Sequence, residues 1–470
     1  MKTGHLLDEL INITQISKSD FALKMDMSPS GLSKILSGNR LPFEKEKSEF
    51  SYRVAKLIAD ATFEYNCYFK FQNIFPIIYN FSTKNDLEEF LTCAVEYALD
   101  QDFAYVNNRN NDYPTTEHCY LGAKATQNMY CILGSDYLTT YKNENLEFYS
   151  TTPFYNKFYF EIFPKVEILS AFHYPKMSFN HLINYDYLDS ANDDFCLNFL
   201  RAIELMQRVG DFNLWTIDDT ITNSFLLLKG HFLITFSVQL DGTPIMTYIR
   251  HKTYLSSFYN SMMSKNARKL SFSRKEAQAT LLNHPKLIDK FINRGIVASY
   301  NFVPFGFFLT KEELHKSFED RKLTDSILNM LNTTMYGDSA FYLNIDSLTS
   351  FYNNGKLIVP LLGTVIINQK DRLNFFKRYD PAISETKKNK LNVLNCDLPK
   401  VSIIHANGLS IIYTTDSEYK KEKFHLVKTN RIHETLMKSI STGNLKEMNF
   451  NVDLWNSYLG ELTSKPASKF

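Results

Sequence analysis

The chain has 470 residues, a hydrophobic fraction of 44% and a formal net charge of +1. That length allows about two to four domains with separate cores. The balanced charge excludes a protein that coats nucleic acid as a polycation, so any affinity for nucleic acid must come from a local patch. The most apolar stretch, residues 296–309, is too short to span a bilayer, and neither a signal peptide nor membrane association is expected.

Motifs that carry catalysis or bind metal ions are missing from the sequence. The six cysteines form no CxxC pair and have no zinc-binding spacing, which predicts reduced and mostly buried thiols. No P-loop, G-x-G-x-x-G, HExxH or G-x-S-x-G motif occurs. The acidic pairs at 193–194 and 218–219 could bind a divalent cation, but such pairs more often cap helices. We therefore expect no enzymatic activity, no cofactor and no metal site.

The first predicted elements are a helix over residues 4–14 and two short helices, joined by a tight turn, within residues 16–42. Ser17 is placed to cap the first short helix, and Asp20 follows three residues later in a variant of the capping box. Ser28 is placed to cap the second. The apolar side chains of the initial helix fall on one face. They are Leu6, Leu7, Leu10 and Ile11.

The second short helix has clear limits and a polar outer face. Pro29 suits its first turn, Gly38 ends it, and Pro42 prevents it from continuing. Three apolar side chains are expected to face inward, namely Leu32, Ile35 and Leu36. The residues that then face outward are Ser30, Ser33, Lys34 and Ser37. Small hydroxyls and a lysine are suited to base edges and phosphates of DNA.

This pattern resembles the Cro/phage-repressor class of helix-turn-helix, the XRE family, over the segment 1–66. The positions that fall on the family pattern, in order and without a gap, are Ile16, Ser17, Asp20, Phe21, Ala22, Met25, Met27, Ser28, Leu32, Ser33, Ile35, Gly38, Arg40 and Pro42. In this family the second helix enters the DNA major groove. The resemblance therefore implies a DNA-binding surface made of Lys18, Ser28, Ser30, Ser33, Lys34, Asn39 and Arg40.

Three positions depart from the family pattern. Asp26 stands in the turn where glycine is usual, and aspartate tolerates the left-handed conformation expected there. Lys18 replaces the usual glutamine and still suits a phosphate contact. Leu36 replaces a common glutamate, which indicates extra burial at that point.

The next elements complete the head and connect it to the rest of the chain. A long amphipathic helix, or a pair of helices, is expected over residues 44–65, which gives a four- or five-helix head over residues 1–66. A connector over 67–110 contains a helix at 83–101 with Ser82 as its cap. That helix could pack on the head or serve as a dimer element.

The remainder of the chain divides at a polar loop, residues 107–116, where turn-forming residues are dense. A mixed α/β middle region is expected over 111–215, beginning with a helix at about 116–141. Residues 216–470 are expected to form a two-lobed α/β effector or sensor region. A turn signal at 240–243 predicts a hairpin there.

Two stretches of the last region align without a gap at one fixed offset, and each predicts strand, glycine, strand, turn, strand and helix. The matched positions are Gly230 with Gly408, Ile234 with Ile412, Ile249 with Val427, Phe258 with Leu436, and Met262 with Ile440. This predicts two duplicated β-hairpin-helix lobes, although any two units of this kind look similar. The phospholipase-D-like fold has such pseudo-symmetry, but its H-x-K-x4-D motif is absent from both lobes, so that chemistry is not expected.

The fold class predicted is therefore multidomain α+β, with an all-α helix-turn-helix head before a mixed α/β region. The function favoured is a cytoplasmic, sequence-specific DNA-binding transcriptional regulator. One head buries little surface, so a homodimer on two operator half-sites of double-stranded DNA is expected. The large second region would set dimer geometry or sense a small-molecule or peptide ligand.

Two other functions stay open. The C-terminal region could be an effector or toxin-like enzyme, with the head used for autoregulation or targeting. Alternatively, the chain could be a phage or mobile-element interaction protein whose helix-turn-helix binds protein.

Overall fold

The structure is a computed structural model that describes residues 1–107, 117–151, 166–168, 176–217, 224–264, 267–379, 391–395, 401–415, 421–443, 445–448 and 452–464. Residues 108–116 of the predicted boundary loop and the acidic pair at 218–219 lie outside the described residues. The described part is a mixed α and β protein that begins with helices and contains several sheets.

The α-helices are α1 (Thr3–Thr14), α2 (Lys18–Lys24), α3 (Pro29–Leu36), α4 (Lys47–Glu64), α5 (Lys84–Asn107), α6 (Ala123–Thr140), α7 (Tyr185–Asp189), α8 (Asp193–Val209), α9 (Lys252–Met263), α10 (Arg274–Asn283), α11 (Leu287–Ile292), α12 (Lys311–Ser317), α13 (Arg321–Tyr336), α14 (Ile345–Asn354), α15 (Gln369–Phe376), α16 (Arg431–Ser441) and α17 (Val452–Ser464). Short 3-10 helices cover Glu44–Glu46, Tyr68–Asn73 and Lys377–Tyr379.

The strands are β1 (Ile77–Tyr79), β2 (Glu117–Leu121), β3 (Asn145–Ser150), β4 (Val166–Ile168), β5 (Lys176–Ile183), β6 (Asp211–Thr216), β7 (Ser224–Leu228), β8 (Phe232–Val238), β9 (Pro244–Ile249), β10 (Arg268–Lys269), β11 (Ser271–Ser273), β12 (Ile296–Asn301), β13 (Ala340–Asn344), β14 (Lys356–Val359), β15 (Gly363–Ile366), β16 (Leu391–Asn395), β17 (Val401–Ala406), β18 (Leu409–Thr415), β19 (Glu422–Val427) and β20 (Lys446–Met448).

Contacts within the chain divide it into two compact units. Unit 1 consists of Met1–Ser178 and Ile221–Met263, and unit 2 consists of Phe179–Thr220 and Ser264–Phe470. Each unit therefore contains two separate stretches of chain. Composition along the sequence does not reveal that the chain passes from one unit to the other and back. The finer division into head, connector, middle region and C-terminal region stays a prediction.

Helices α1 to α4 open unit 1, and the caps predicted for α2 and α3 are confirmed. The Asp20 N–H donates to Ser17 Oγ at 3.0 Å, and the Gly31 N–H donates to Ser28 Oγ at 3.1 Å. The Ser17 hydroxyl donates to the Asp20 carboxylate at 2.6 Å. The reciprocal bond of the capping box thus runs to the hydroxyl rather than to the backbone, because aspartate is shorter than glutamate.

The predicted apolar faces of these helices form the core of the head. The buried side chains include Leu6, Leu7, Leu10, Ile11, Phe21, Ala22, Leu32, Ile35, Val54 and Ile58. Leu36 is half-buried, in line with the burial expected there. Within the segment 44–65, Glu44–Glu46 forms a 3-10 helix and Lys47–Glu64 forms the α-helix α4, on which the Phe63 ring is 45% exposed. Phe63 follows Ile58 by five residues and so lies about 140° around the helix from it.

Helix α5 packs along α4 in the opposite direction. Lys47 at the start of α4 donates to Asp100 near the end of α5 at 2.8 Å, and Lys84 at the start of α5 pairs with Asp60 near the end of α4. Of the two roles considered for this helix, packing on the head is therefore confirmed.

The predicted cap of α5 is wrong by one residue. Thr83, not Ser82, is the cap, because the Asp86 N–H donates to Thr83 Oγ1 at 3.1 Å and the Thr83 N–H donates to Asp86 Oδ2 at 3.0 Å. The helix also continues to Asn107, beyond the predicted end at residue 101.

Unit 1 contains an antiparallel sheet in the order β3-β7-β8-β9-β2. The helix predicted over 116–141 is wrong at its start, because Glu117–Leu121 forms β2 and pairs with β9. Gly122, at φ 91°, separates this strand from α6. The hairpin predicted at 240–243 is confirmed between β8 and β9, where Gly242 has φ 86°.

Unit 2 contains a mixed sheet in the order β11-β19-β18-β17-β12-β13-β16-β20. The pairings β12-β13 and β13-β16 are parallel, and the others are antiparallel. Strands β14 and β15 form a separate hairpin, and Pro360 lies in the turn that joins them. The main apolar cluster of this unit lies among the sheet, helices α11 to α15 and α17, and this hairpin.

Five strands of each unit share one order. The antiparallel order β3-β7-β8-β9-β2 of unit 1 corresponds to the order β12-β17-β18-β19-β11 of unit 2. In the chain, helix α9 follows β9 in unit 1, and helix α16 follows β19 in unit 2. The matched glycines, Gly230 and Gly408, both have positive φ, at 80° and 72°. An internal duplication would produce this correspondence, but that origin stays a prediction.

A buried histidine in unit 2 should make stability depend on pH. His425 lies between two hydroxyls, with Nδ1 2.7 Å from Ser271 Oγ and Nε2 3.2 Å from Thr414 Oγ1. Burial, aided by the charge of Lys423, lowers the pKa of His425 to about 3. The unfolded chain takes up this proton near pH 6.5, so the contribution is complete above that pH and is lost as pH falls toward 3.

We expect His425→Gln to remove this dependence, because glutamine can bond both hydroxyls without titrating. When the pH is lowered from 7 to 5, the free energy of unfolding measured in urea should fall by about 2 kcal/mol more in wild type than in the variant. Parallel pH profiles for the two proteins would contradict the assignment.

Candidate nucleic-acid interface

The outer face of α3 is exposed as predicted. Every residue assigned to it is open to solvent, namely Ser30, Ser33, Lys34 and Ser37. These positions are three or four residues apart, so they lie on one side of the helix. The buried residues of α3, Leu32 and Ile35, lie on the opposite side and hold the helix to the head.

Both ends of α3 are fixed by local interactions. Ser28 caps the first turn, Pro29 occupies the first helical position, and Gly38 follows the last turn at φ 72°. The turn before α3 has Asp26 at φ 55°, as expected for a residue that replaces glycine there, and the Arg53 guanidinium donates to its carboxylate. The orientation of the polar face is therefore set by the turn and by the caps.

A close approach between α1 and α3 positions the far end of α3, and sequence reasoning missed it. A Cβ atom on Gly4 would lie 2.7 Å from the carbonyl oxygen of Ile35 and still closer to that of Leu36. Only a residue without a side chain allows this distance. The single available signal was a glycine in the first turn of a predicted helix, where it costs helix propensity.

The basic residues of the surface differ in how they are engaged. Lys34 and Arg40 are exposed, and neither forms an ion pair with a residue that the structure describes. Lys18 is also exposed but forms an ion pair with Asp8, in which Nζ lies 2.6 Å from Oδ1. No acidic residue occurs between 27 and 41, where the basic residues are Lys34 and Arg40.

The polar residues of the surface interact with one another. Ser28 Oγ, which accepts the cap hydrogen bond, lies 3.1 Å from Ser30 Oγ. The Asn39 side-chain amide donates to Ser37 Oγ at 2.9 Å. Ser28 and Asn39 are exposed. All seven residues predicted to contact DNA thus lie at the surface of one head, and their contact with DNA stays a prediction.

The other candidate sites carry structural interactions. Asp193 accepts from Arg431 at 2.7 Å and from Lys438 at 2.6 Å, and the Lys438 hydrogen bond is the main cause of its lowered pKa. It therefore joins α8 to α16. Within the described ranges, no three His, Cys, Asp or Glu residues are grouped as a metal site, and none of the helices there is long and apolar enough to cross a bilayer.

Comparisons with known proteins give little similarity. No family model and no curated protein match the chain significantly. Among solved structures, one match is TrmBL2, described as an archaeal chromatin protein whose structure shows a novel mode of DNA binding. It has 10% identity, covers 47% of this chain and 93% of that chain, and has a TM-score of 0.19. A TM-score of this size establishes no common fold, so the match carries no argument about this chain.

Proposed function

We propose that the chain is a sequence-specific DNA-binding transcriptional regulator of the XRE type, with α3 as its recognition helix. The observation that carries the proposal is the exposed face of α3, which presents hydroxyls and a lysine while caps close both ends of the helix. A rigid helix with this face suits the major groove, where hydroxyls and ammonium groups meet base edges. The proposal includes no catalytic activity.

The surface residues take two roles in this proposal. Ser30, Ser33 and Lys34 project from the outer face of α3 toward base edges, with Ser28 at the flank. Lys18, Asn39 and Arg40 contact the phosphate backbone, as residues beside a recognition helix commonly do. Lys18 would exchange Asp8 for a phosphate at small cost, because an exposed ion pair contributes at most about 1 kcal/mol.

Specific binding requires more than one head. A single module of this kind buries about 600–1,000 Å² on DNA, which limits its affinity. We propose that a homodimer in the cytoplasm reads two related half-sites, so that spacing between the heads adds specificity. Unit 2, with the rest of unit 1, would hold the heads at that spacing.

The proposal is tested first by mapping the DNA bound by the full chain across the genome, and then by measuring affinity for the enriched sequence. Lys34→Ala and Arg40→Ala should each weaken binding and lower the slope of log affinity against log salt by about 1, since each removes one positive charge from the surface that meets the DNA. Lys34→Ala should in addition reduce the preference for the enriched sequence over random DNA if it reaches a base.

The matched control is Lys56→Ala, which removes an exposed lysine from α4 of the same head. It should leave both affinity and salt slope unchanged. If Lys34→Ala and Arg40→Ala retain wild-type affinity and slope, α3 does not bind DNA and the proposal fails. If the mapping experiment enriches no particular sequence, the proposal of a sequence-specific regulator is contradicted as well.

A further inference from the structure

Unit 2 contains a cavity of about 210 Å³, partly open to solvent, against one face of its sheet. The sheet side of the cavity is made by residues that face each other across three antiparallel strands, since Ile404 pairs with Ile411 and Ile411 with Leu426. Helices α10 and α11 cover this face with side chains that include Ala277, Leu281 and Phe291. The cavity thus belongs to a single compact unit.

The lining is almost entirely apolar, and its hydroxyl groups belong to Thr280, Ser402 and Tyr413. Ser402 of β17 lines the cavity, is only 1% exposed, and its hydroxyl forms no hydrogen bond with any residue that the structure describes. A buried hydroxyl without a partner is destabilising, because it has lost its bonds to water. The position of the Ser402 hydroxyl beside a cavity is what a binding site with one polar contact requires.

The turn between β14 and β15 closes another side of the cavity and is strained. Leu361 lines the cavity with φ 70°, a conformation that side chains with a Cβ rarely adopt. Its carbonyl accepts from Gln278 Nε2 at 2.6 Å, and its backbone N–H interacts with the Glu422 carboxylate. Such strain persists where surrounding groups impose it, and it is frequent at ligand clamps.

The volume indicates the bulk of an occupant. A cavity of about 150 Å³ lined by apolar side chains binds benzene, so one of about 210 Å³ suits a molecule with the bulk of two fused rings. A charged ligand is disfavoured, because the lining offers no counter-ion and desolvation of a charge is expensive. Polar area is confined to a small part of the wall, and the unpartnered hydroxyl of Ser402 is the group there that a ligand would satisfy.

We propose that unit 2 binds a small uncharged molecule, of the bulk of a bicyclic aromatic and carrying one hydrogen-bonding group, with that group bonded to the Ser402 hydroxyl. The Leu361 turn holds the apolar body of the ligand against the sheet. This site does not depend on the proposed DNA-binding function, so either can fail while the other stands.

The test is a fluorescence titration of the full chain with 1-naphthol and with naphthalene, which differ by one hydroxyl. Wild type should bind one 1-naphthol per chain and bind it more tightly than naphthalene. Ser402→Ala should weaken 1-naphthol binding about three- to tenfold, the range of one neutral hydrogen bond, and should leave naphthalene binding at least as tight. Without ligand, Ser402→Ala should also raise the melting temperature of unit 2 by about 2–4 °C.

Filling the cavity provides the second arm. Ala277→Leu adds bulk to the wall and should abolish binding of both probes, whereas Ala279→Leu, at an exposed position of the same helix, should bind both like wild type. Leu281→Phe fills the same space if Ala277→Leu does not fold. The proposal is overturned if wild type binds neither probe, if the filling variants bind normally, or if Ser402→Ala keeps the full preference for 1-naphthol.

Discussion

Arg274→Met is expected to destabilise unit 2 by about 3 kcal/mol at pH 7, the lower end of the range for breaking a buried ion pair. Arg274, at the start of α10, donates to the Glu422 carboxylate of β19, whose side chain is 0% exposed, while the arginine side chain is 32% exposed. Without the guanidinium, Glu422 must remain buried without a counter-ion or become protonated. Urea unfolding followed by circular dichroism measures the loss.

The loss should shrink as the pH falls. Burial raises the pKa of Glu422, although the hydrogen bond and charge of Arg274 oppose that shift. A carboxyl whose folded pKa is raised contributes stability that is present below its unfolded pKa and lost as pH rises through the folded pKa. In Arg274→Met the folded pKa rises further, so the deficit should be smaller at pH 5 than at pH 7.

Two further proteins separate the ion pair from the packing of the arginine stem. Arg274→Met combined with Glu422→Gln should recover most of the stability at pH 7, because no buried charge remains. Lys269→Met removes the partner of Glu276, whose side chain is 47% exposed, and should cost less than about 1 kcal/mol. A deficit in Arg274→Met that is equal at both pH values would show that lost packing is responsible.

Gly4→Ala should loosen the head, although alanine favours a helix more than glycine does. The added Cβ would lie 2.7 Å from the Ile35 carbonyl oxygen, and the atoms it meets belong to the backbone of α3, which cannot rotate away. Overpacking of this kind lowers the free energy of unfolding by about 1–3 kcal/mol. The higher helix propensity of alanine offsets up to about 1 kcal/mol of this, so a net loss of stability is expected. Because α3 must shift, affinity for DNA should fall with stability.

Hydrogen exchange of peptides from residues 1–64 measures this effect locally. Gly460→Ala in α17 is the matched control, because a Cβ there meets nothing within 4 Å. It should stabilise its helix by up to about 1 kcal/mol. If Gly4→Ala slows exchange in the head instead of accelerating it, the close approach of α1 to α3 is not required.

The features that sequence analysis predicted correctly in the head are local ones. The caps at Ser17 and Ser28, the left-handed Asp26 and the terminating Gly38 all act on backbone groups within three or four residues. Such interactions depend on neighbours along the chain, and so the sequence contains them in full. Where an alternative cap stood one residue away, as Thr83 does beside Ser82, composition could not choose.

Features that join distant parts of the chain required the fold. Glu422 shows no special pattern in the sequence, yet it meets Arg274 and the Leu361 turn inside unit 2. Strand β2 was taken for helix because its partner, β9, lies more than one hundred residues later. The same reason hid the cavity beside Ser402.

The limits, the caps and the outward face of α3 were thus properties of the amino-acid sequence, since each follows from short-range hydrogen bonding and helical periodicity. The contact of Gly4 with α3, the strand partners and the unpartnered Ser402 hydroxyl arise only when remote segments pack together. Packing brings together residues whose separation along the chain carries no signal of their proximity, and that is why tertiary structure was needed for them.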